Sequence, residues 1–203
     1  LGDVYKRQFL YRVECALDGG ATLIQLREKD RTTREYIHLA YKVHSIARRY
    51  NVPLIVDDRV DVALAVGTEG VHVGQTDMPV SIARKLMGPD RIVGATTKTV
   101  TQAVEAYEQG ADYLGVGAIY PTTTKVKTVL TTTDTLKDIC AAVPIPVNAI
   151  GGLNKTNLDV LTGIPIAGIC VVSAIMKSDN PCKSAQDLLI LSKQLQNKLQ
   201  NGK

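Results

Sequence analysis

Apolar positions along the chain fall into short runs separated by helical stripes, and this alternation sets the expected elements. Phe9 to Asp18 carries helical spacing and stops at Gly19-Gly20, where the missing Cβ permits the turn that ends a helix. Thr22 to Arg27 then reads as a strand. Thr32 and Glu35 form a capping-box signature, and Tyr36, Ile37, Ala40, Tyr41, Val43, His44, Ala47 and Tyr50 keep one helical face as far as Asn51-Val52-Pro53. Leu54-Ile55-Val56 is a β-rich run that stops at Asp57-Asp58. Beyond it the pattern predicts a helix from Arg59 to Val66, a strand from Gly70 to Gly74, a helix after Pro79, a strand from Arg91 to Thr96 and a helix from Thr99 to Gln109. A strand from Tyr113 to Ala118, a helix from Asp134 to Ala142, a strand from Pro146 to Ile150 and a brief helix from Asn157 to Leu161 follow. A strand from Gly168 to Ser173 and an amphipathic helix from Ser184 to Leu199 complete the series.

Strands that alternate with helices, without hairpin turn signals, imply a parallel α/β fold. Val71-His72-Val73 and Leu114-Gly115-Val116 lack clear polar alternation, as expected of strands covered on both faces. Polar residues follow nearly every strand: Arg27 and Lys29, Asp57 and Asp58, Gln75 and Asp77, Thr96, Thr122 to Lys125, Gly151-Gly152 and Ser173. An open doubly wound sheet concentrates its site at one switch point, whereas a (β/α)8 TIM barrel gathers all strand ends around one mouth, so the barrel is the expected class. With seven strands read, the barrel's first strand is expected to be missing upstream of Phe9. Asp3-Val4-Tyr5-Lys6-Arg7-Gln8 is similar to a translated transposon end from sequencing libraries. Residues 1–8 are therefore read as a non-native leader and 9–203 as a single barrel domain.

Composition narrows the partners. At 203 residues, 45% hydrophobic and 22% charged, the chain suits one domain with a sizeable core. No apolar run approaches the ~20 residues of a membrane helix, so no membrane partner is expected. A net charge of +4 with one Phe and no Trp offers no aromatic-basic platform for nucleic acid. Cys15, Cys140, Cys170 and Cys182 are scattered without metal-ligand spacing and read as reduced thiols of a cytoplasmic protein.

Candidate chemistry lies at the strand ends. Gln25 and Arg27 share one face of their strand and Lys29 continues the row into the loop, which fits an anionic ligand; the alternative is that both cations end in solvent beside Glu28 and Asp30. Asp57, Asp58 and Asp77 offer hard carboxylate oxygens from consecutive units, suited to Mg²⁺ beside a phosphate; the alternative is that they are N-caps, with Asp57 or Asp58 capping the helix at Arg59. Pro121 to Lys125 forms either an anion cradle or an ordinary Thr-rich turn. Gly151-Gly152 and Val172-Ser173 end the last two strands, where barrels commonly bind phosphate. His72, inside a strand, reads as a core histidine rather than a base, and His38 and His44 have no expected chemical role.

Five segments together carry a resemblance: Gln25 to Lys29, Val71 to Met78, Gly117 to Lys125, Ala149 to Gly152, and Gly168 to Ile175. In that order, from about Phe9 to the last helix, they resemble the thiamine-phosphate synthase family. The resemblance implies a barrel transferase that joins hydroxymethylpyrimidine diphosphate to a thiazole phosphate, giving thiamine monophosphate and pyrophosphate. It implies Gln25, Leu26, Arg27, Glu28, Lys29, Asp57 and Thr96 around the pyrimidine diphosphate, and Asp58 and Asp77 on Mg²⁺. Lys125 would reach the leaving pyrophosphate, with Arg27 and Lys29 as the other catalytic cations. Thr122, Thr123, Thr124, Gly152, Val172 and Ser173 would hold the thiazole phosphate. Asp57 departs from the family's usual Asn and Thr96 from its usual Ser, Lys98 stands where His is common, and the segment after Lys125 lacks an expected glycine. A thiazole tautomerase would lack the cationic clamp, a phosphate-binding isomerase would need an acid/base pair, and a non-catalytic binding protein is a third alternative. A homo-oligomer is compatible with all of these readings.

Overall fold

In the computed structural model, residues 2–122 and 129–201 are described, with side chains for 7–122 and 129–198. Strands β1 (Ile24–Leu26), β2 (Leu54–Asp57), β3 (Gly70–Val73), β4 (Ile92–Thr97), β5 (Tyr113–Val116), β6 (Val147–Ile150) and β7 (Gly168–Cys170) form one parallel sheet in chain order. Between and around them run α1 (Gly2–Asp18), α2 (Thr33–Arg49), α3 (Val60–Val66), α4 (Val80–Met87), α5 (Val100–Glu108), α6 (Thr133–Ala142), a 3₁₀ turn (Leu158–Leu161), α7 (Ser173–Met176) and α8 (Pro181–Asn201). The sheet curls as a TIM-barrel-like fold, and among the described residues β1 and β7 are its two edges. Helix α1 packs against α8, α2 and α7.

The pairing register separates two faces of very different chemistry. One face carries Leu26, Val56, Val71, Val73, Val93, Ala95, Leu114, Val116, Val147 and Ala149, all in the buried apolar cluster shared with the helices. The other aligns Asp57 with His72, Gly94 and Tyr113 in one row, and Thr96 with Gly115, Asn148 and Gly168 in the next. Strands that look unalternating in sequence therefore do alternate. Val or Leu faces the helices, while Gly, His, Asp, Asn or Thr faces the interior.

Local signals fix most helix starts. The capping box forms: Glu35 N donates to Thr32 Oγ1 at 3.3 Å and Thr32 N donates to Glu35 Oε2 at 3.0 Å, a cap of the kind worth about 1 kcal/mol. Thr99 and Thr132 cap α5 and α6 without a reciprocal box, each hydroxyl accepting from a backbone N–H, of Gln102 and of Thr135. Neither Asp57 nor Asp58 caps α3, whose N-cap position is Arg59 without a side-chain bond. Three further boundaries differ from the sequence reading by three residues or more. Helix α1 runs back to Gly2, so the backbone of residues 2–8 is helical. Strand β7 stops at Cys170, and α7 begins at Ser173, because the chain leaves the extended region at Val172 (φ −122°, ψ −72°). Helix α8 starts at Pro181, where a missing N–H costs nothing.

At the opposite end of the strands from the polar loops, Glu69 ties elements together. Its carboxylate accepts from Leu54 N at 2.8 Å and lies 2.9 Å from His44 Nε2. Burial opposes ionisation of Glu69, but these hydrogen bonds outweigh it and hold the carboxyl below its ordinary value. A lowered folded-state pKa means the contribution is fully present above the unfolded glutamate value of about 4.3 and is lost as pH falls through the folded value. Glu69→Gln is expected to lower the denaturant midpoint at neutral pH, with the gap to the unsubstituted chain closing in acid. Urea unfolding at several pH values reads this directly, and a gap independent of pH would exclude it.

Candidate active site

The chain turns sharply at the end of β2, and the turn aims two carboxylates differently. Asp57, still in the strand, is buried and points into the interior. Asp58 adopts φ 63°, a left-handed conformation that Asp tolerates better than most residues, and its N–H donates to His72 O at 2.8 Å. This lifts the Asp58 carboxylate out of the strand row.

Each carboxylate meets one part of the β1 segment. Gln25 Nε2 donates to Asp57 Oδ1 at 2.6 Å and Arg27 Nε lies 3.1 Å from Asp57 Oδ2. Lys29 pairs with Asp58, which also shares a hydrogen bond with Asp77. Asp77 in turn accepts from Gly74 N at 2.9 Å. Gln25, Arg27, Lys29, Asp57, Asp58 and Asp77 are thus one connected cluster. Leu26 and Glu28 face elsewhere: Leu26 is buried on the helix side with its carbonyl accepting from Tyr36 Oη at 2.7 Å, and Glu28 pairs with Arg31 at 3.1 Å.

The cluster's electrostatics follow from burial and proximity. Burial pushes the Asp57 carboxyl up to about 7, the Asp58 charge acts in the same direction, and Arg27, Gln25 and Lys29 oppose both. Burial also disfavours the Asp58 anion, but hydrogen bonds with Lys29 and Asp77 and the nearby cations hold its carboxyl below the usual range. Asp77 is raised by burial, by its hydrogen bond to Asp58 and by the Asp58 charge. Two carboxyl groups held together in this way offer an oxygen pair that a divalent cation could occupy.

The candidate site residues at the remaining strand ends are uncharged among the described residues. Thr96 on β4 is half-buried, with its carbonyl accepting from Gln75 Nε2 and its hydroxyl 2.8 Å from His72 Nε2. Beyond β5 the chain returns to the sheet, since Ile119 N donates to Ile150 O and Tyr120 N to Gly151 O, both at 3.0 Å. Gly152, at φ 65°, sits so close that a Cβ would lie 2.7 Å from Tyr120 Cβ and 2.8 Å from Pro121 O. The threonine loop and the glycine pair therefore meet at one place. Thr122 is half-buried there, while Thr123, Thr124 and Lys125 lie outside the described residues. Val172 and Ser173 are exposed at the start of α7, following β7 where Cys170 pairs with Ile150.

Sequence reasoning passed over Tyr113 and Asn148, both on the inner face. An asparagine inside the otherwise apolar run Val147 to Ile150 was an available signal for the second. Two hollows of about 380 and 270 Å³ lie apart from this mouth, on the outside between α1 and α2, both lined by Leu10, His38 and Lys42.

Comparison with known proteins gives one answer. A family model described as thiamine monophosphate synthase matches residues 2–175. The chain is 53% identical over 172 residues to thiamine-phosphate synthase 2 of Streptococcus pneumoniae, covering 85% of this chain and 82% of the relative. It is 47% identical over 193 residues to thiamine-phosphate synthase of Enterococcus faecalis, covering 95% and 91%. Among solved structures it is similar to thiamine phosphate pyrophosphorylase from Pyrococcus furiosus, with a TM-score of 0.85 and 38% identity over 92% of this chain and 90% of that one. A 3-hexulose-6-phosphate synthase, at TM-score 0.68 and 13% identity, shares the fold alone. With strand order, polar mouth and whole-chain similarity in agreement, this chain belongs to the thiamine monophosphate synthase family.

Proposed function

We propose that this chain is a thiamine-phosphate synthase, a transferase that couples hydroxymethylpyrimidine diphosphate to a thiazole phosphate and releases pyrophosphate. The observation that carries this reading is the division of the mouth. Cations and carboxylates of β1, β2 and β3 form one cluster, whereas hydroxyls and glycines gather after β5, β6 and β7. One half suits a diphosphate with a metal ion and the other a single phosphate.

In this reading Arg27 and Lys29 neutralise the diphosphate oxygens as negative charge builds on the leaving group, which needs electrostatic compensation more than a base. Lys125 joins them at the departing pyrophosphate. Gln25 and Thr96 hold the pyrimidine side, and Asp57, bonded to Gln25, competes with the diphosphate for Arg27. Leu26 and Glu28 contribute backbone rather than side chain, given where their side chains point. Asp58 and Asp77 would hold Mg²⁺, which supplies charge neutralisation at the diphosphate when bound. Among the described residues no third His, Cys, Asp or Glu completes a metal cluster, so further ligands would come from water and substrate oxygens, as Mg²⁺ prefers. Thr122, Thr123, Thr124, Gly152, Val172 and Ser173 hold the thiazole phosphate, and capture of the pyrimidine methylene by the thiazole nitrogen is a matter of alignment. The setting is cytoplasmic, and among the described residues no helix is long and apolar enough to cross a membrane.

Incubation with both substrates is expected to yield thiamine monophosphate and an equal amount of pyrophosphate; thiazole turnover without pyrophosphate would instead favour a tautomerase. Excess chelator should abolish product and added Mg²⁺ restore it, while Asp77→Asn should lower kcat by roughly a hundredfold with the fold intact. Full activity in chelator would exclude the metal assignment. Arg27→Ala should raise KM for the pyrimidine diphosphate by about ten- to a hundredfold, as charge-assisted hydrogen bonds predict, and Ser173→Ala should act on the thiazole phosphate. Asp57→Asn keeps an acceptor for Gln25 but removes a negative charge from beside Arg27. It is expected to lower KM for the diphosphate roughly three- to tenfold, and an increase would show that Asp57 orients Arg27 more than it competes for it.

A further inference from the structure

Two buried rings support Thr96 from within the barrel. His72 is 5% exposed and Tyr113 7% exposed, their centroids are 5.4 Å apart, and His72 Nδ1 lies 3.0 Å from Tyr113 Oη. On its other side His72 Nε2 lies 2.8 Å from Thr96 Oγ1. Glycines make room for this pair. A Cβ on Gly94 would fall 2.2 Å from Tyr113 Cζ and 2.5 Å from His72 Nδ1, and one on Gly115 would fall 3.3 Å from His72 Cε1. Glycine inside a strand weakens it, so two on neighbouring strands point to a close approach that the site needs.

Proton counting then assigns direction. A neutral imidazole, a phenol and a threonine bring three protons to the two hydrogen bonds, so one proton is left over. With the imidazole proton on Nδ1, the leftover proton is the phenol's, in a buried position where an unmet donor is costly. An imidazolium would strand the phenol proton as well. With the imidazole proton on Nε2, Tyr113 donates to Nδ1, Nε2 donates to Thr96 Oγ1, and the leftover proton belongs to Thr96 on the half-buried strand end. Burial holds the Tyr113 phenol well above its ordinary value, so it remains a donor.

We propose that Tyr113 locks His72 as the Nε2–H tautomer, so that Thr96 presents a hydrogen-bond donor to the ligand and selects an acceptor there, such as a heteroaromatic ring nitrogen. His72 and Tyr113 are positioning residues in this scheme. The proposal rests on the reading of Thr96 as a contact to the pyrimidine.

Nitrogen-15 NMR of the ligand-free chain, whose three histidines are resolved by a His72→Gln control, reads the tautomer directly. The Nε2–H form is expected in the unsubstituted chain and a mixture in Tyr113→Phe. Kinetically, Tyr113→Phe should lower kcat/KM for the pyrimidine diphosphate roughly five- to tenfold without changing KM for the thiazole phosphate. In a Thr96→Val background the same change should have no further effect, whereas a merely structural contribution would add. An Nδ1–H tautomer in the unsubstituted chain, or equal effects in both backgrounds, overturns the proposal. An unsubstituted chain that forms no product overturns the functional reading instead, and the ligand-free tautomer still judges the lock.

Discussion

Asp57 is a carboxylate buried at the end of a strand, and the polar arrangement around it follows from the need to compensate that group. A lone buried anion is costly enough that it would rather take up a proton, and burial does push Asp57 strongly in that direction. Gln25 and Arg27 answer it from the neighbouring strand, which fixes the β1 segment in register with β2 beyond what its three paired residues could do. The left-handed turn at Asp58 then separates the next carboxylate from the first, so that Lys29 and Asp77 engage Asp58 without crowding Asp57. A right-handed continuation would have carried Asp58 into the first turn of α3 and dispersed the cluster.

Charge is sorted around the mouth by strand. The β1 to β3 side gathers the acid–base cluster, and the β5 to β7 side is built from backbone approach, with Gly152 pressed against the Tyr120–Pro121 segment. These two constructions suit different anions. A multiply charged group with a cation calls for side chains whose charges nearly cancel in its absence, as Asp58 and Lys29 do; a single phosphate is well served by N–H groups and hydroxyls on a tight loop. Between them stands Thr96, uncharged and held from below by His72.

Much of this was legible in the sequence, and the reasons differ by element. Strand order, the capping box at Thr32 and the polar strand ends are local signals, and local signals survive folding. The resemblance in five ordered motifs identified the family that whole-chain comparison shows. Three features were not legible. The left-handed turn at Asp58 is chosen by the tertiary bond to His72 O, so a helix cap was a fair local reading that a distant acceptor displaced. The outward turn at Val172, which shortens β7 and opens α7, has no propensity signal in Val171-Val172-Ser173. The partnership of His72 with Tyr113 spans 41 residues, and only the register that aligns both with Gly94 brings the rings together.

That register also explains how one short strand serves stability and chemistry at once. Its outward residues, such as Val71 and Val73 on β3, are fully buried against helices, where each contributes on the order of 1.5–3 kcal/mol. Its inward residue, His72, sits in a polar row whose net contribution to folding is small, because hydrogen bonds there replace bonds to water. Stability therefore resides mainly in the outer layer, which leaves the inner rows to be specified by geometry. The inner rows combine residues that contribute little to a core, Gly94 and Gly115, with the rings that fill the space beside them, and together they carry a connection from the barrel's middle to the hydroxyl of Thr96. A side chain held by buried, hydrogen-bonded neighbours loses little freedom when a ligand arrives, which is the condition for a loop-rimmed mouth to orient what it binds.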